Sequence, residues 1–121
     1  MTHDEFMEIR SDLDKYCTKL LSTKAAEYAP GKQDRLCQFH KIATLSNTTP
    51  IQALLSLMAK HETSIHDYGK RANSYNLDLW REKIGDIRNY CDLLWALLSA
   101  NVKEGELEKP GNPFDVFEST E

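Results

Sequence analysis

Two short segments concentrate the residue types that could bind or transform an anionic ligand. The first is KHETS at residues 60–64, and the second is EKIGDIRNY at residues 82–90. Side chains three or four residues apart on a helix lie on one face. If both segments are helical, they bring a set of polar and aromatic candidates together: Lys60, His61 and Ser64 from the first, and Glu82, Lys83, Asp86, Asn89 and Tyr90 from the second.

Asp86 is the most informative of these residues because its position predicts burial. At about 100° per residue, residues 77–100 form a helix with two apolar stripes. The first stripe consists of Trp80, Ile84, Ile87, Cys91, Leu94 and Leu98. Asp86 lies inside the second stripe, which consists of Leu79, Tyr90, Leu93 and Leu97. A buried carboxylate must be paired, hydrogen-bonded or neutralised, so a partner is expected.

His61 and Lys60 are the candidate partners of Asp86. His61 lies in an apolar stripe of its own helix, between the positions of Leu54 and Tyr68. If the two helices pack antiparallel, a His–Asp or Lys–Asp pair satisfies both partners and leaves donors for a phosphate or a water. The same pair could instead be a structural network that fixes the register of the helices.

Hydrophobic periodicity predicts four helices that position these residues, over about 4–28, 33–45, 50–68 and 77–100. The first carries a seam typical of helix bundles: Phe6, Ile9, Leu13, Tyr16 and Leu20. Residues with capping preferences precede three of the predicted starts: Thr2 or Asp4, then Thr49 followed by Pro50, and Asn76 or Asp78.

The predicted fold class is therefore all-α, a four-helix bundle-like domain over residues 1–101. The fourth helix is apolar on two sides, so we expect a homo-oligomer to complete the fold. Residues 102–121 are mostly acidic and contain glycines and prolines, which predicts an irregular tail. Phe114, Val116 and Phe117 in this tail could dock on the bundle or a neighbouring subunit, or be an incidental apolar patch.

The composition of the chain indicates which classes of partner and which cellular compartment to expect. The net charge is −4 and no basic run exceeds two residues, which argues against a broad nucleic-acid surface. No apolar run approaches the roughly 20 residues of a membrane span, and the start MTHDEFMEIR does not match a signal peptide. The three cysteines are widely spaced, which indicates reduced thiols in a cytoplasmic protein and no zinc site.

Four segments follow one another in a distinctive order: EYAPGKQDRLCQFHKIA at 27–43, TPIQAL at 49–54, KHETSI at 60–65 and EKIGDIRNYCDLL at 82–94. This order resembles a pattern in small phage-encoded helical proteins described as nucleotide-modification-associated or MazG-like. KHxxS followed by EKxxDxxNY is its more specific part, and the resemblance covers about residues 19–98. It implies a phage or prophage origin, the cytoplasm of an infected bacterium and a link to nucleotides, without implying a particular reaction.

The MazG-like pyrophosphohydrolases are a more distant comparison. They hold Mg²⁺ with an ExxE pair and an ExxD pair on two helices and cleave nucleoside triphosphates to monophosphates. Asp86 matches the aspartate of the second pair, whereas Lys83 stands at the position of its glutamate and Glu82 is one residue away. Lys60 and His61 stand where the first acidic pair is expected. These departures replace an anionic metal cage with a mixed site that suits an anionic ligand.

The sequence thus predicts a binding protein, without a cofactor, for a phosphorylated nucleotide-type small molecule between the third and fourth helices. The expected roles are phosphate contact for Lys60 and His61, hydrogen bonding for Ser64 and Asn89, orientation of a cation for Asp86, and base stacking for Tyr90. Two alternatives stay open. One is a divergent Mg²⁺-dependent nucleoside triphosphate pyrophosphohydrolase using Glu62, Glu82 and Asp86. The other is an interaction protein that inhibits a host factor through PFDVF at residues 113–117.

Overall fold

The computed structural model describes residues 1–28, 34–71 and 76–103, with residues 105 and 111, and for residues 25–28 it describes the backbone alone. Over these residues the chain forms four α-helices and no strand. They are α1 at His3–Tyr28, α2 at Cys37–Leu45, α3 at Pro50–Gly69 and α4 at Leu77–Lys103. The all-α, bundle-like class predicted from hydrophobic periodicity is confirmed.

Side-chain caps fix three of the helix starts. Thr2 and Glu5 form a reciprocal capping box, in which each side chain accepts a 3.1 Å hydrogen bond from the backbone N–H of the other. Thr49 Oγ1 accepts from the Gln52 N–H ahead of α3, and Asn76 Oδ1 accepts from the Leu79 N–H ahead of α4, both at 3.1 Å. These caps satisfy backbone donors that have no partner inside the helix.

The second helix begins later than the predicted residue 33. Asp34 Oδ1 accepts from the Leu36 N–H at 2.9 Å, and the Asp34 carbonyl accepts from the Cys37 N–H at 3.1 Å. Such a side-chain-to-backbone bond competes with helix formation. Residues 35–36 therefore form a turn, and α2 begins at Cys37.

The core lies where α2, α3 and α4 meet. Its buried side chains are Phe39, Leu54, Leu93 and Leu97. Leu93 and Leu97 belong to the apolar stripe that contains Asp86, whereas Cys91 of the other stripe is exposed and Ile84 is 36% exposed. The stripe around Asp86 is therefore the face of α4 that packs inward.

Helices α3 and α4 are antiparallel, as expected. Contacts pair a later residue of α3 with an earlier residue of α4: His61 with Asp86, Ser64 with Lys83, and Tyr68 with Trp80. The seven-residue connection, 70–76, suits neighbouring antiparallel helices. This geometry places the two polar segments of the sequence along one seam.

Helix α1 reaches the other side of α4 at Gly85. A Cβ atom added there would lie 3.0 Å from the Tyr16 ring and 3.5 Å from Leu20. Closer to its start, the Asp14 carboxylate accepts from the Arg88 guanidinium, which holds the pKa of Asp14 below its ordinary value. Burial raises the pKa of the neighbouring Cys17 thiol. The second half of α1 is thus fixed to α4 by close packing and by an ion pair.

The first half of α1 is exposed along its length and is not covered by the other described helices. Every residue from Met1 to Asp12 is exposed, including Phe6 at 51% and Ile9 at 54%. The predicted seam is therefore divided: Tyr16 and Leu20 pack on α4, whereas Phe6 and Ile9 are not covered by any described part of the chain.

The predicted tail, 102–121, falls almost wholly outside the described residues, together with its PFDVF segment. Helix α4 itself continues two residues past the predicted limit of the helical domain, to Lys103. Among the helices described, none combines the length and the apolar character that a membrane crossing requires.

Candidate functional site

The centre of the α3–α4 seam holds the pair predicted from the sequence. His61 Nδ1 lies 3.5 Å from Asp86 Oδ2, and the side chains are 31% and 15% exposed. Asp86 lies in the inward-facing stripe of α4, and His61 approaches it because the two helices are antiparallel. The carboxylate thus has a polar partner, the His61 imidazole, of the kind that its partial burial requires.

Tyr90, one turn after Asp86 on α4, adds an aromatic face to this pair. The His61 and Tyr90 rings have centroids 5.0 Å apart and planes inclined by 38°. Both rings line a cavity of about 120 Å³ that we call the interior cavity, together with Leu21, Lys24, Arg35, Gln38, Asp86, Asn89 and Leu93. All four helices or their flanking residues contribute to this wall. The cavity therefore could not be predicted from any single segment of the sequence.

Two residues that line the interior cavity each have a buried side-chain polar atom without a hydrogen-bond partner among the described residues. Asn89 is 7% exposed, and its Nδ2 donates to the Cys17 carbonyl at 3.3 Å, whereas its Oδ1 has no hydrogen bond to any described residue. Arg35 Nη1 is likewise buried and without a partner among the residues described. Leaving a buried donor or acceptor unsatisfied costs about 1–3 kcal/mol, so a hydrogen-bonding partner for either atom would be stabilising.

Charge in the interior cavity is predominantly positive. Among the described residues of its wall, Lys24 and Arg35 carry positive charge and His61 can carry it, whereas Asp86 is the single carboxylate. Sequence reasoning missed Lys24, Arg35 and Gln38, because they lie on α1 and around α2, far from the two polar segments. Arg35 does fall inside one of the segments that carry the family resemblance, and that is the signal that could have drawn attention to it.

A second group of predicted residues lies farther along the same seam. Lys60, Ser64 and Lys83 line an open groove of about 390 Å³, which we call the cationic groove, with Thr63, Asp67, Tyr68, Arg71 and Leu79. Lys83 Nζ donates to Ser64 Oγ and lies 5.5 Å from the centroid of the Tyr68 ring. The predicted site therefore consists of two adjacent parts. Lys60, Ser64 and Lys83 line the cationic groove, and the interior cavity is lined by His61, Asp86, Asn89 and Tyr90.

Glu82 is the one predicted site residue that the structure brings to neither part. It is exposed, one turn before Asp86 on α4, and borders neither the interior cavity nor the cationic groove. Glu62, the other acid of the hydrolase alternative, is exposed on α3. In the described ranges, no group of three or more histidine, cysteine, aspartate or glutamate side chains is placed to hold a metal ion.

Comparison of the chain with protein-family models, with curated proteins and with solved structures gives no match.

Proposed function

We propose that this protein binds a phosphorylated, nucleotide-type ligand on the α3–α4 seam. The observation that carries this proposal is the interior cavity, whose wall includes Asn89 and Arg35, each with a buried side-chain atom (Oδ1 and Nη1) that has no partner among the described residues. A ligand that hydrogen-bonds both atoms relieves two desolvation penalties at once, which favours binding over an empty site.

The pairing requirements of these two atoms favour a heterocyclic base over a bare phosphate in the interior cavity. Asn89 Oδ1 needs a donor and Arg35 Nη1 needs an acceptor. A fully ionised phosphate offers acceptors alone, whereas a nucleobase edge offers donors and acceptors side by side. Tyr90 supplies an aromatic surface for such a ring, and Asp86 supplies a further acceptor beside His61.

The size of the interior cavity supports a ligand that enters in part. Small-molecule pockets are typically about 300–1,000 Å³, whereas this cavity is about 120 Å³. It can enclose one ring and not a whole nucleotide, so the sugar and phosphate lie outside it. Lys60, the residue expected to contact phosphate, borders the neighbouring groove.

This function would suit a protein that sequesters a nucleotide or a nucleotide defence signal, or that assists nucleotide modification. The KHxxS and EKxxDxxNY segments support that setting through their resemblance to phage-encoded proteins linked to nucleotides. They contribute His61, Asp86, Asn89 and Tyr90 to the interior cavity. No step of chemistry is needed to explain their arrangement.

Isothermal titration calorimetry with a nucleotide panel, including cyclic and ADP-ribose-type compounds, tests this function. We expect saturable binding of at least one member, and at least 10-fold weaker binding by Asp86→Ala, because that variant removes an acceptor and the partner of His61. Glu82→Ala is the matched control, since it removes an exposed carboxylate one turn away on the same helix. Binding of no member, with Asp86→Ala altering stability alone, would show that the pair is structural.

The homo-oligomer expected from the sequence belongs to the same proposal. Its support is the exposed apolar surface on α1 and α4, which includes Phe6, Met7, Ile9 and Trp95. Surfaces of this kind on a small helical protein are typical of contacts between subunits.

Light scattering coupled to size-exclusion chromatography tests the oligomer. We expect a mass at least twice that of one chain, and the mass of one chain after Phe6→Glu with Ile9→Glu, because buried charges oppose association. Leu45→Glu is the control, because Leu45 is 86% exposed at the end of α2. A wild-type mass of one chain, or an assembly unaffected by the double substitution, would contradict the proposal.

A further inference from the structure

We infer that the cationic groove holds a chain of two or more phosphate groups, so that the ligand is a nucleoside di- or triphosphate and not a monophosphate. This inference rests on the proposed function for the base, but it is carried by a different set of side chains. Those are Lys60, Ser64, Lys83 and Arg71, on the α3–α4 seam next to the interior cavity.

Among its described residues, the cationic groove has more positively than negatively charged side chains. Lys60, Arg71 and Lys83 border it, and Asp67, the one carboxylate among the described residues that line it, lies 3.9 Å from Lys70 Nζ on its own helix. Within the described part of the chain, Lys60 and Lys83 form no ion pair. A local excess of positive charge in a protein of net charge −4 selects an anionic ligand at this place.

Lys83 is held in position before any ligand arrives. Its ammonium donates to Ser64 Oγ and lies near the face of the Tyr68 ring, and the Arg71 guanidinium lies 5.8 Å from the same ring centroid. A preorganised cation loses less conformational freedom on binding than a mobile surface lysine. The ammonium also keeps further N–H donors for phosphate oxygens, because it has three.

The spacing of the two parts matches one continuous ligand. Lys83 of the cationic groove is three residues before Asp86 of the interior cavity on α4, about 4.5 Å along the helix axis at a rise of 1.5 Å per residue. On α3, Lys60 is adjacent to His61. A base in the interior cavity therefore directs its phosphates along the groove, where the cations follow one another. A single phosphate group would occupy only one end of this open groove of about 390 Å³ and would leave its other cations uncontacted.

Calorimetry with a nucleoside mono-, di- and triphosphate of the best-bound base, without divalent cations, tests this inference. We expect the affinity to rise at least 10-fold from monophosphate to triphosphate. That increase should be lost in Lys83→Met, which keeps the apolar stem, and in Lys60→Met, whose exposed site tolerates substitution. Lys15→Met is the control, because it removes one exposed lysine on α1. Equal affinities for the three phosphate states would overturn the inference while leaving the proposed function intact.

A second measurement tests the cationic groove even if no nucleotide binds. The Trp80 ring lies 4.7 Å from the Tyr68 ring, centroid to centroid, and Tyr68 borders the groove. In a Trp95→Phe background Trp80 is the single tryptophan, so its fluorescence reports on this place. We expect a saturable change on titration with inorganic tripolyphosphate, and at least 10-fold weaker binding by Lys83→Met. No saturable change, or the same affinity in Lys83→Met, would overturn the inference.

Discussion

Replacing Phe39 by alanine is expected to lower the free energy of unfolding by about 3–5 kcal/mol, the range for removing a buried aromatic ring. Phe39 is completely buried and packs with Leu54, Leu93 and Leu97. Its helix, α2, has nine residues, too few to be stable alone in water. The truncation therefore leaves a cavity in the core and weakens the contact that holds α2 against α3 and α4. Urea denaturation followed by circular dichroism measures the change.

Leu45→Ala is the matched control for this prediction. Leu45 ends the same helix but is 86% exposed, so its truncation removes little buried apolar area and is expected to change stability by less than about 0.5 kcal/mol. Similar losses in the two variants would show that Phe39 does not occupy the core. A loss below about 1 kcal/mol in Phe39→Ala would lead to the same conclusion.

Replacing Asn89 by leucine is expected to weaken nucleotide binding by at least about 100-fold. The ligand group that hydrogen-bonds Asn89 Oδ1 would then be buried without a partner, which is strongly unfavourable. The leucine removes the acceptor at Oδ1 and fills part of a cavity of only about 120 Å³. The same substitution is expected to raise the free energy of unfolding by about 1 kcal/mol, since it removes a buried, unsatisfied polar atom. The Cys17 carbonyl, which loses the Asn89 Nδ2 donor, lies inside α1 and keeps its helical partner.

The combination of the two effects separates a binding residue from a structural one. If Asn89 serves only the packing of α1 on α4, its replacement lowers stability and leaves affinity unchanged. Calorimetry and urea denaturation of the same preparation distinguish these results. Asn101→Leu is the control, because it makes the same chemical change later in α4, where residue 101 is half-buried and away from the interior cavity.

Local patterns in the sequence predict the elements of this fold well. Thr49 before Pro50 and Asn76 before residue 77 are capping signals that depend on a few neighbouring residues, and both caps are present. The apolar stripe around Asp86 predicts its inward face because helical geometry alone sets which side chains share a face. Its pairing with His61 follows once α3 and α4 are antiparallel, which a short connection favours.

The exposure of the first half of α1 could not be predicted in the same way. Phe6 and Ile9 continue the periodicity of Tyr16 and Leu20, and periodicity reports which face is apolar but not what covers it. Whether another helix covers that part of α1 depends on the angle at which α1 crosses α4. That angle is set by packing between residues distant in sequence.

The sequence by itself determined the four helices, the inward-facing position of Asp86 and most of the side chains now found on the α3–α4 seam, because these depend on spacing within one or two segments. Only the tertiary structure decided that those side chains divide between an interior cavity and a cationic groove. It also decided that Lys24 and Arg35 complete the wall of the cavity. The physical reason is that a cavity is the space left between helices, so its shape, its charge and its unsatisfied atoms arise from packing and belong to no single segment.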